Sequence, residues 1–191
     1  HYHGLTIRPK PSQKPHPPVY VTAQKDPESF QTVGRLGYHL MTVPWIFTNE
    51  IQRTRVELYL RALGESGHSE KNHEVFVMYP AHVGESDAEA RADAIEPWHR
   101  WRAFALKELG IDPSKGALYE ERLSHFSYDT MVAQNRAVFG GPETCVRHLQ
   151  RIQEIVGPTH VGLCFHFGGL SQEKILKSME RFARLVTPAL R

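Results

Sequence analysis

Hydrophobic and polar positions along the chain follow two periods, and the period switches at regular intervals. Val19 to Ala23 is a short β-branched and aromatic run, the pattern of a strand. Asp26-Pro27-Glu28-Ser29 follows, with an acceptor at a helix N-cap and proline at the first helical position. Phe30, Val33 and Leu36 then recur at helical spacing until Gly37 stops the turn. The switch repeats: His39 to Val43 predicts a strand, and Asn49 to Leu63 a helix with Ile51, Leu58 and Ala62 on one face. Glu74 to Tyr79 is the clearest strand, and Asp87 to Leu109 a long helix packed through Ala88, Ala92, Ile95 and Ala105. Residues 111–139 are less regular and predict an insertion with one or two short helices. Pro142 to Val156 predicts a helix with Cys145, Leu149, Ile152 and Val156 inward. His160 to Phe167 is the last strand, and Ser171 to Val186 the last helix, turned inward through Ile175, Met179, Phe182 and Val186. Ahead of these elements, Pro9, Pro11, Pro15, Pro17 and Pro18 remove backbone donors and exclude a helix or central strand from residues 1–18.

Strand-then-helix units in a row argue for an α/β fold with a parallel sheet, because parallel neighbours need helical crossovers. An eight-fold βα barrel takes ~250 residues and eight such units. This sequence supplies four units and the 111–139 insertion, and four open strands would expose an edge on each side. Half of a TIM-type (β/α)8 barrel is the expected architecture, with a small doubly wound domain as the open alternative.

Composition narrows the function. With 191 residues, 40% hydrophobic and 23% charged, the chain can bury a core of its own. Lys plus Arg (23) nearly cancel Asp plus Glu (21), so no global field recruits nucleic acid or an anionic membrane. No apolar run approaches the ~20 residues of a membrane span, and no basic stretch leads into an apolar signal core. Cys145 and Cys164 lie in apolar stretches and are expected as buried, reduced thiols, which favours the cytoplasm. The start at His1 suggests a piece of something longer. Twelve histidines, including His1-x-His3 and the pair His68 and His73, show no ligand spacing with matching Cys or carboxylates, so no metal is expected. No Ser-His-Asp set, Walker loop or dinucleotide glycine fingerprint is present.

Four segments carry a resemblance, in register along the chain, the first of them made of three stretches. They begin with Gln13-Lys14-Pro15-His16-Pro17-Pro18-Val19-Tyr20-Val21, then Pro27-Glu28-Ser29, then Gly34-Arg35-Leu36-Gly37. Further on come Phe139-Gly140-Gly141-Pro142-Glu143, Phe167-Gly168-Gly169-Leu170, and an ending with Glu173, Ser178, Phe182, Ala183 and Pro188. Together they resemble the fifth to eighth strand–helix units of the luciferase-like flavin-dependent monooxygenases, over essentially the whole chain. The resemblance implies the C-terminal half of a barrel that binds FMN at the C-terminal ends of its strands. It also implies an enzyme that receives reduced flavin from a separate reductase and uses it with oxygen on an organic substrate. The phosphate of FMN is then expected at the turn after the first strand of this chain.

That expectation has a physical basis in the residues themselves. A helix start offers unpaired N–H groups and a partial positive charge, which favour an anion. The amides of Glu28 and Ser29, with the hydroxyls of Ser29 and Thr32 one turn apart, form the candidate phosphate set. Ala23 and Gln24, at the strand end, are candidates to lie against the ribityl chain or the flavin edge. The plain alternative is that Asp26 caps an ordinary helix; its charge opposes a phosphate, and Lys25 beside it compensates. Other candidates are weaker. His166 faces either a substrate cavity or the helices; Gly168-Gly169 allow either a close approach to a ligand or a turn. Trp45 is a candidate for the flavin pocket, Trp98 and Trp101 for packing, and residues 111–139 for a lid or a surface insertion. Groups that act on the flavin from its other side belong to the first half of the barrel, so no catalytic residue is named. The missing half, or a second copy, is the expected partner. The alternatives are a non-catalytic flavin-binding or assembly module, and an oxidoreductase of the same superfamily that uses a deazaflavin.

Overall fold

The computed structural model describes residues 3–4, 6, 8–14, 16–43 and 46–190. Its spine is a parallel sheet of β1 (Tyr20–Thr22), β2 (His39–Thr42), β3 (Val75–Val83) and β5 (His160–Cys164), hydrogen-bonded in that order. A further strand, β4 (Val138–Gly140), extends the far half of β3. The helices are α1 (Pro27–Arg35), α2 (Asn49–Glu65), α3 (Asp87–Glu108), α4 (Ala117–His125), α5 (Tyr128–Ala133), α6 (Pro142–Val156) and α7 (Gln172–Arg181). Every strand pair is parallel. This is half of a TIM-type (β/α)8 barrel, and among the described residues no helix is long and apolar enough to cross a membrane.

Strand alternation decides which side chains meet the helices. Val21 and Ala23, Leu40, then Val75, Val77, Tyr79, Ala81 and Val83, pack with Phe30, Val33, Val56, Leu63, Leu149 and Ile152 from the helices. The opposite face carries Tyr20, Thr22 and Met78, all exposed. α1 and α2 approach each other closely at Gly34, where a Cβ would fall 2.4 Å from the Tyr59 carbonyl oxygen. Only glycine fits there, which gives Gly34-Arg35-Leu36-Gly37 a packing role.

β3 is longer than Glu74 to Tyr79, and Pro80 marks the reason. β5 pairs with β3 up to the partners Pro80 and Cys164, and β4 takes over at Ala81. A residue without an N–H sits where one neighbour ends and the next begins. β4 itself begins at the end of the segment read as irregular, because a three-residue strand exists only when a longer one offers it an edge.

Several predicted helix faces are turned. Leu36 is 59% exposed and Ile51 44% exposed; α2 instead buries Gln52, Arg55, Val56, Tyr59, Ala62 and Leu63. Ala88 and Ala92 are exposed, and α3 packs through Ala90, Ala94, Trp98 and Leu106. Alanines occur on several sides of α3 and discriminate poorly, whereas the indole of Trp98 has the largest area to bury. On α7, Met179 is 47% exposed and Ser178 takes the buried position, its Oγ accepting the Val83 N–H at 2.7 Å. α6 buries Cys145, Leu149, Ile152 and Val156, as its spacing predicts.

A second cluster lies beneath α3, with Trp98, Phe126, Tyr128, Met131, Phe139 and Phe167 at its centre. Over residues 111–139 the chain forms a short 3-10 turn, α4, α5 and the start of β4. The loop after β5 docks on α3 at Gly168, with φ +55° and a virtual Cβ 1.7 Å from the Pro97 carbonyl oxygen. The Gly168 carbonyl accepts a hydrogen bond from Arg100 Nε at 2.8 Å. The close approach that Gly168 permits is therefore to α3.

Candidate functional site

The turn between β1 and α1 is tightly tied. Asp26 caps α1: its Oδ1 accepts the Glu28 N–H at 3.1 Å and its carbonyl accepts the Ser29 N–H at 3.1 Å. Both amides of the candidate phosphate set are thus engaged by Asp26. Ser29 and Thr32 are half-buried, and Thr32 Oγ1 accepts from Arg35 Nη2 at 2.8 Å. Arg35, the last residue of α1, is a cation on the Thr32 hydroxyl that the sequence reading did not single out, although it stands one turn after Thr32. Ala23 is buried among the outer-face residues, its N–H bonded to the Met41 carbonyl at 3.0 Å. Gln24 is exposed and offers its carbonyl to Arg55 Nη1 at 2.5 Å.

Arg55 is the second group that sequence reasoning missed. Its side chain is 8% exposed, and its guanidinium lies 3.7 Å from the centre of the Phe47 ring. Burial pulls its pKa down, and the nearby Asp26 charge opposes that shift. It belongs to a polar layer at the start of α2. Asn49 Oδ1 accepts the Tyr79 hydroxyl at 2.8 Å, Asn49 Nδ2 donates to the Asn135 carbonyl at 2.9 Å, and Gln52 Nε2 donates to Thr42 Oγ1 at 3.1 Å. Asn49, Gln52 and Arg55 recur every three residues on a buried face. That spacing was the available signal.

The C-terminal ends of the strands hold a cavity of about 70 Å³ lined by Val43, Met78, Tyr79, Pro80, Trp98, Trp101, Cys164 and Phe167. Trp98, expected as a packing residue, is fully buried, and Trp101 stacks on it at 4.8 Å and 23°. Cys164 is half-buried rather than buried, and its thiol donates to the His166 carbonyl at 3.3 Å. His166 is exposed, and the cavity lining passes from Cys164 to Phe167 without it. Trp45 lies outside the described residues. Among the described residues, no three His, Cys, Asp or Glu side chains could together hold a metal ion. His73 is occupied structurally, with its ring nitrogens 2.6 Å from the Ser69 carbonyl and 3.0 Å from the Gly37 carbonyl.

Comparison with known proteins decides the family. The model of the luciferase-like monooxygenase family matches residues 1–159. The chain belongs to that family. Among solved structures it is similar to the monooxygenase RslO1 of Streptomyces bottropensis, with 23% identity and a TM-score of 0.72 over 98% of this chain and 52% of that one. It is similar to the oxygenating constituent of the 3,6-diketocamphane monooxygenase of Pseudomonas putida, solved with FMN, at 18% identity and TM-score 0.66, covering 92% and 50%. An F420-dependent secondary alcohol dehydrogenase shares 18% identity and a TM-score of 0.63, covering 91% and 49%. No curated protein matches the sequence significantly. The chain thus spans about half the length of these solved structures. At these identities the solved structures speak for the fold, a partial barrel with its C-terminal strand ends at the α1 turn and the apolar cavity.

Proposed function

We propose that this chain forms part of an FMN-dependent monooxygenase and supplies one side of the flavin-phosphate subsite. The observation that carries the reading is the α1 start in a luciferase-like half barrel, where Ser29 and Thr32 offer hydroxyls one turn apart and Arg35, at the far end of α1, donates to Thr32. The side chains that would meet a phosphate are the Ser29 and Thr32 hydroxyls, one turn apart, with the Arg35 guanidinium on Thr32. The amides fit less directly, because Asp26 must give up the Glu28 N–H before that backbone can face an anion. Arg55, anchored to Gln24, offsets the Asp26 charge and holds the strand end where Ala23 and Gln24 would border the ribityl chain. Reduced flavin, delivered by a separate reductase, supplies the electrons with which O2 oxidises an organic substrate. The protein's own part is to hold the phosphate, fix the cofactor over the strand ends and exclude water.

In this reading residues 1–191 are strands five to eight of the barrel, and 111–139 an insertion before the last strand–helix unit. The other four units come from a missing N-terminal half or a second copy. The test is a titration of the intact protein with oxidised FMN and, separately, with oxidised F420, followed by difference spectra. A perturbed FMN spectrum with no F420 response is the expected result. The opposite pattern assigns the site to a deazaflavin oxidoreductase, and no response to either leaves an assembly module.

A further inference from the structure

The α1 turn carries an anion of its own. Asp26 Oδ1 accepts the Glu28 N–H at 3.1 Å, so a phosphate oxygen reaches that amide only in competition with a carboxylate. Lys25 and Glu28, one of each sign, stand on either side of Asp26 in the sequence, and both are exposed. Arg35 lies at the far end of α1, on Thr32. Arg55 feels the Asp26 charge, but its Nη1 is held by the Gln24 carbonyl at 2.5 Å. Two anions at one helix start meet at contact distance, well inside the ~8 Å Debye length, so salt screens their repulsion only in part.

Repulsion of this kind grows with the charge of the ligand, because the energy of two charges is proportional to their product. A phosphate monoester such as FMN carries about −1.5 to −2 at neutral pH. Its methyl ester carries a single charge, and riboflavin has no phosphate to charge. The α1 dipole and the Ser29 and Thr32 hydroxyls attract the same phosphate, so Asp26 subtracts from their pull without abolishing it. In the reading above, flavin arrives reduced from a separate reductase and leaves oxidised. A phosphate held against a competing carboxylate leaves readily.

We propose that Asp26 is a specificity-determining residue of the subsite: it competes with the phosphate for the Glu28 amide and holds FMN at an exchangeable affinity, discriminating by ligand charge. This rests on the reading that the phosphate lies at the α1 start. Asp26→Asn removes the charge and keeps the cap, since Asn and Asp cap equally well. Oxidised FMN, its monomethyl phosphate ester and riboflavin are titrated into the intact wild type and variant, followed by flavin fluorescence. The variant should bind FMN about tenfold more tightly, a difference of about 1.4 kcal/mol. The singly charged ester should gain about threefold, the square root of that factor, and riboflavin nothing. Asp26→Ser, a second neutral cap, should give the same order. Tightening of all three ligands alike, riboflavin included, overturns a charge effect. Weaker FMN binding in both variants shows that the carboxylate supports the phosphate and overturns the proposal, as do unchanged affinities. Ser29→Ala separates this failure from failure of the reading beneath it. Where Ser29→Ala weakens FMN and Asp26→Asn changes nothing, only the role of Asp26 falls. Where neither variant alters FMN relative to riboflavin, the phosphate lies elsewhere and both fall. A protein that binds none of the three ligands overturns both as well.

Discussion

Between the sheet and its outer helices the packing is largely aliphatic, with Val33, Leu40, Val56, Val75, Val77 and Ile152 in contact. Beneath α3 it is aromatic, with Trp98 edge-on to Phe139 at 5.6 Å and to Phe167 at 6.0 Å, and Tyr128 stacked on Phe139 at 5.3 Å. The first cluster is the repeating interior of any βα unit and is built by local periodicity. The second joins α3, α5, β4 and the loop after β5, which are far apart in sequence, and it borders the cavity at the strand ends. The repeating layer makes the scaffold, and the non-repeating layer shapes what the scaffold can bind.

Removing the centre of the aromatic cluster tests that division most severely. Trp98→Ala deletes a fully buried indole and should cost about 3–5 kcal/mol in urea unfolding. It should also open the strand-end cavity. A cost below about 1 kcal/mol would mean that the cluster is loosely packed and only decorates the sheet.

Gly168→Ala probes the docking of the β5 loop on α3. The new methyl would meet the Pro97 carbonyl at 1.7 Å, in a backbone conformation with φ +55°. The left-handed conformation alone costs a side chain ~1–2 kcal/mol, so the loss should be about 2 kcal/mol or more. Unchanged stability would show that the loop is not clamped to α3.

Two buried histidines cross the seam between the clusters and sharpen the comparison through pH. His82 on β3 reaches Asp93 Oδ2 on α3 at 3.3 Å, and His148 on α6 reaches the Ala137 carbonyl at 3.2 Å. Burial lowers both pKa values, most strongly of the contributing causes. The unfolded chain therefore binds protons more readily than the folded one. The stability contributed by the neutral rings is present above the unfolded pKa, ~6.5, and is lost as pH falls below it. Each ring adds a slope of up to roughly 1.4 kcal/mol per pH unit. His148→Asn, which keeps a donor and cannot ionise in this range, should remove one such increment between about pH 6.5 and 5. An unaltered slope would show that His148 is not buried in its neutral form.

What was legible in the sequence follows the same division. The first part of β3, read as Glu74 to Tyr79, the strand starting at His160, read on to Phe167 but ending at Cys164, and the inner face of α6 could be read because each repeats a short period with large aliphatic residues. The inner face of α2 could not. Asn49, Gln52 and Arg55 point inward because Tyr79, Asn135, Thr42 and Gln24 satisfy them, and those partners come from other segments. β4 was missed for a similar reason, since Val138–Gly140 acquires its ladder from the far end of β3. At the candidate phosphate turn the helix start, its Asp26 cap and the two hydroxyls were readable locally. Arg35 on Thr32 and Arg55 on Gln24 were not, because side-chain reach is a property of the folded chain.

One pair of affinities tests the α1 start as an anion site. Ser29→Ala in the intact protein should weaken FMN binding about ten- to a hundred-fold, the value of a lost charge-assisted hydrogen bond of roughly 1.5–3 kcal/mol. Riboflavin, which lacks the phosphate, should bind the wild type and the variant almost equally. Loss of both affinities in the same proportion would contradict the account and leave Asp26 and Ser29 as parts of an ordinary helix cap.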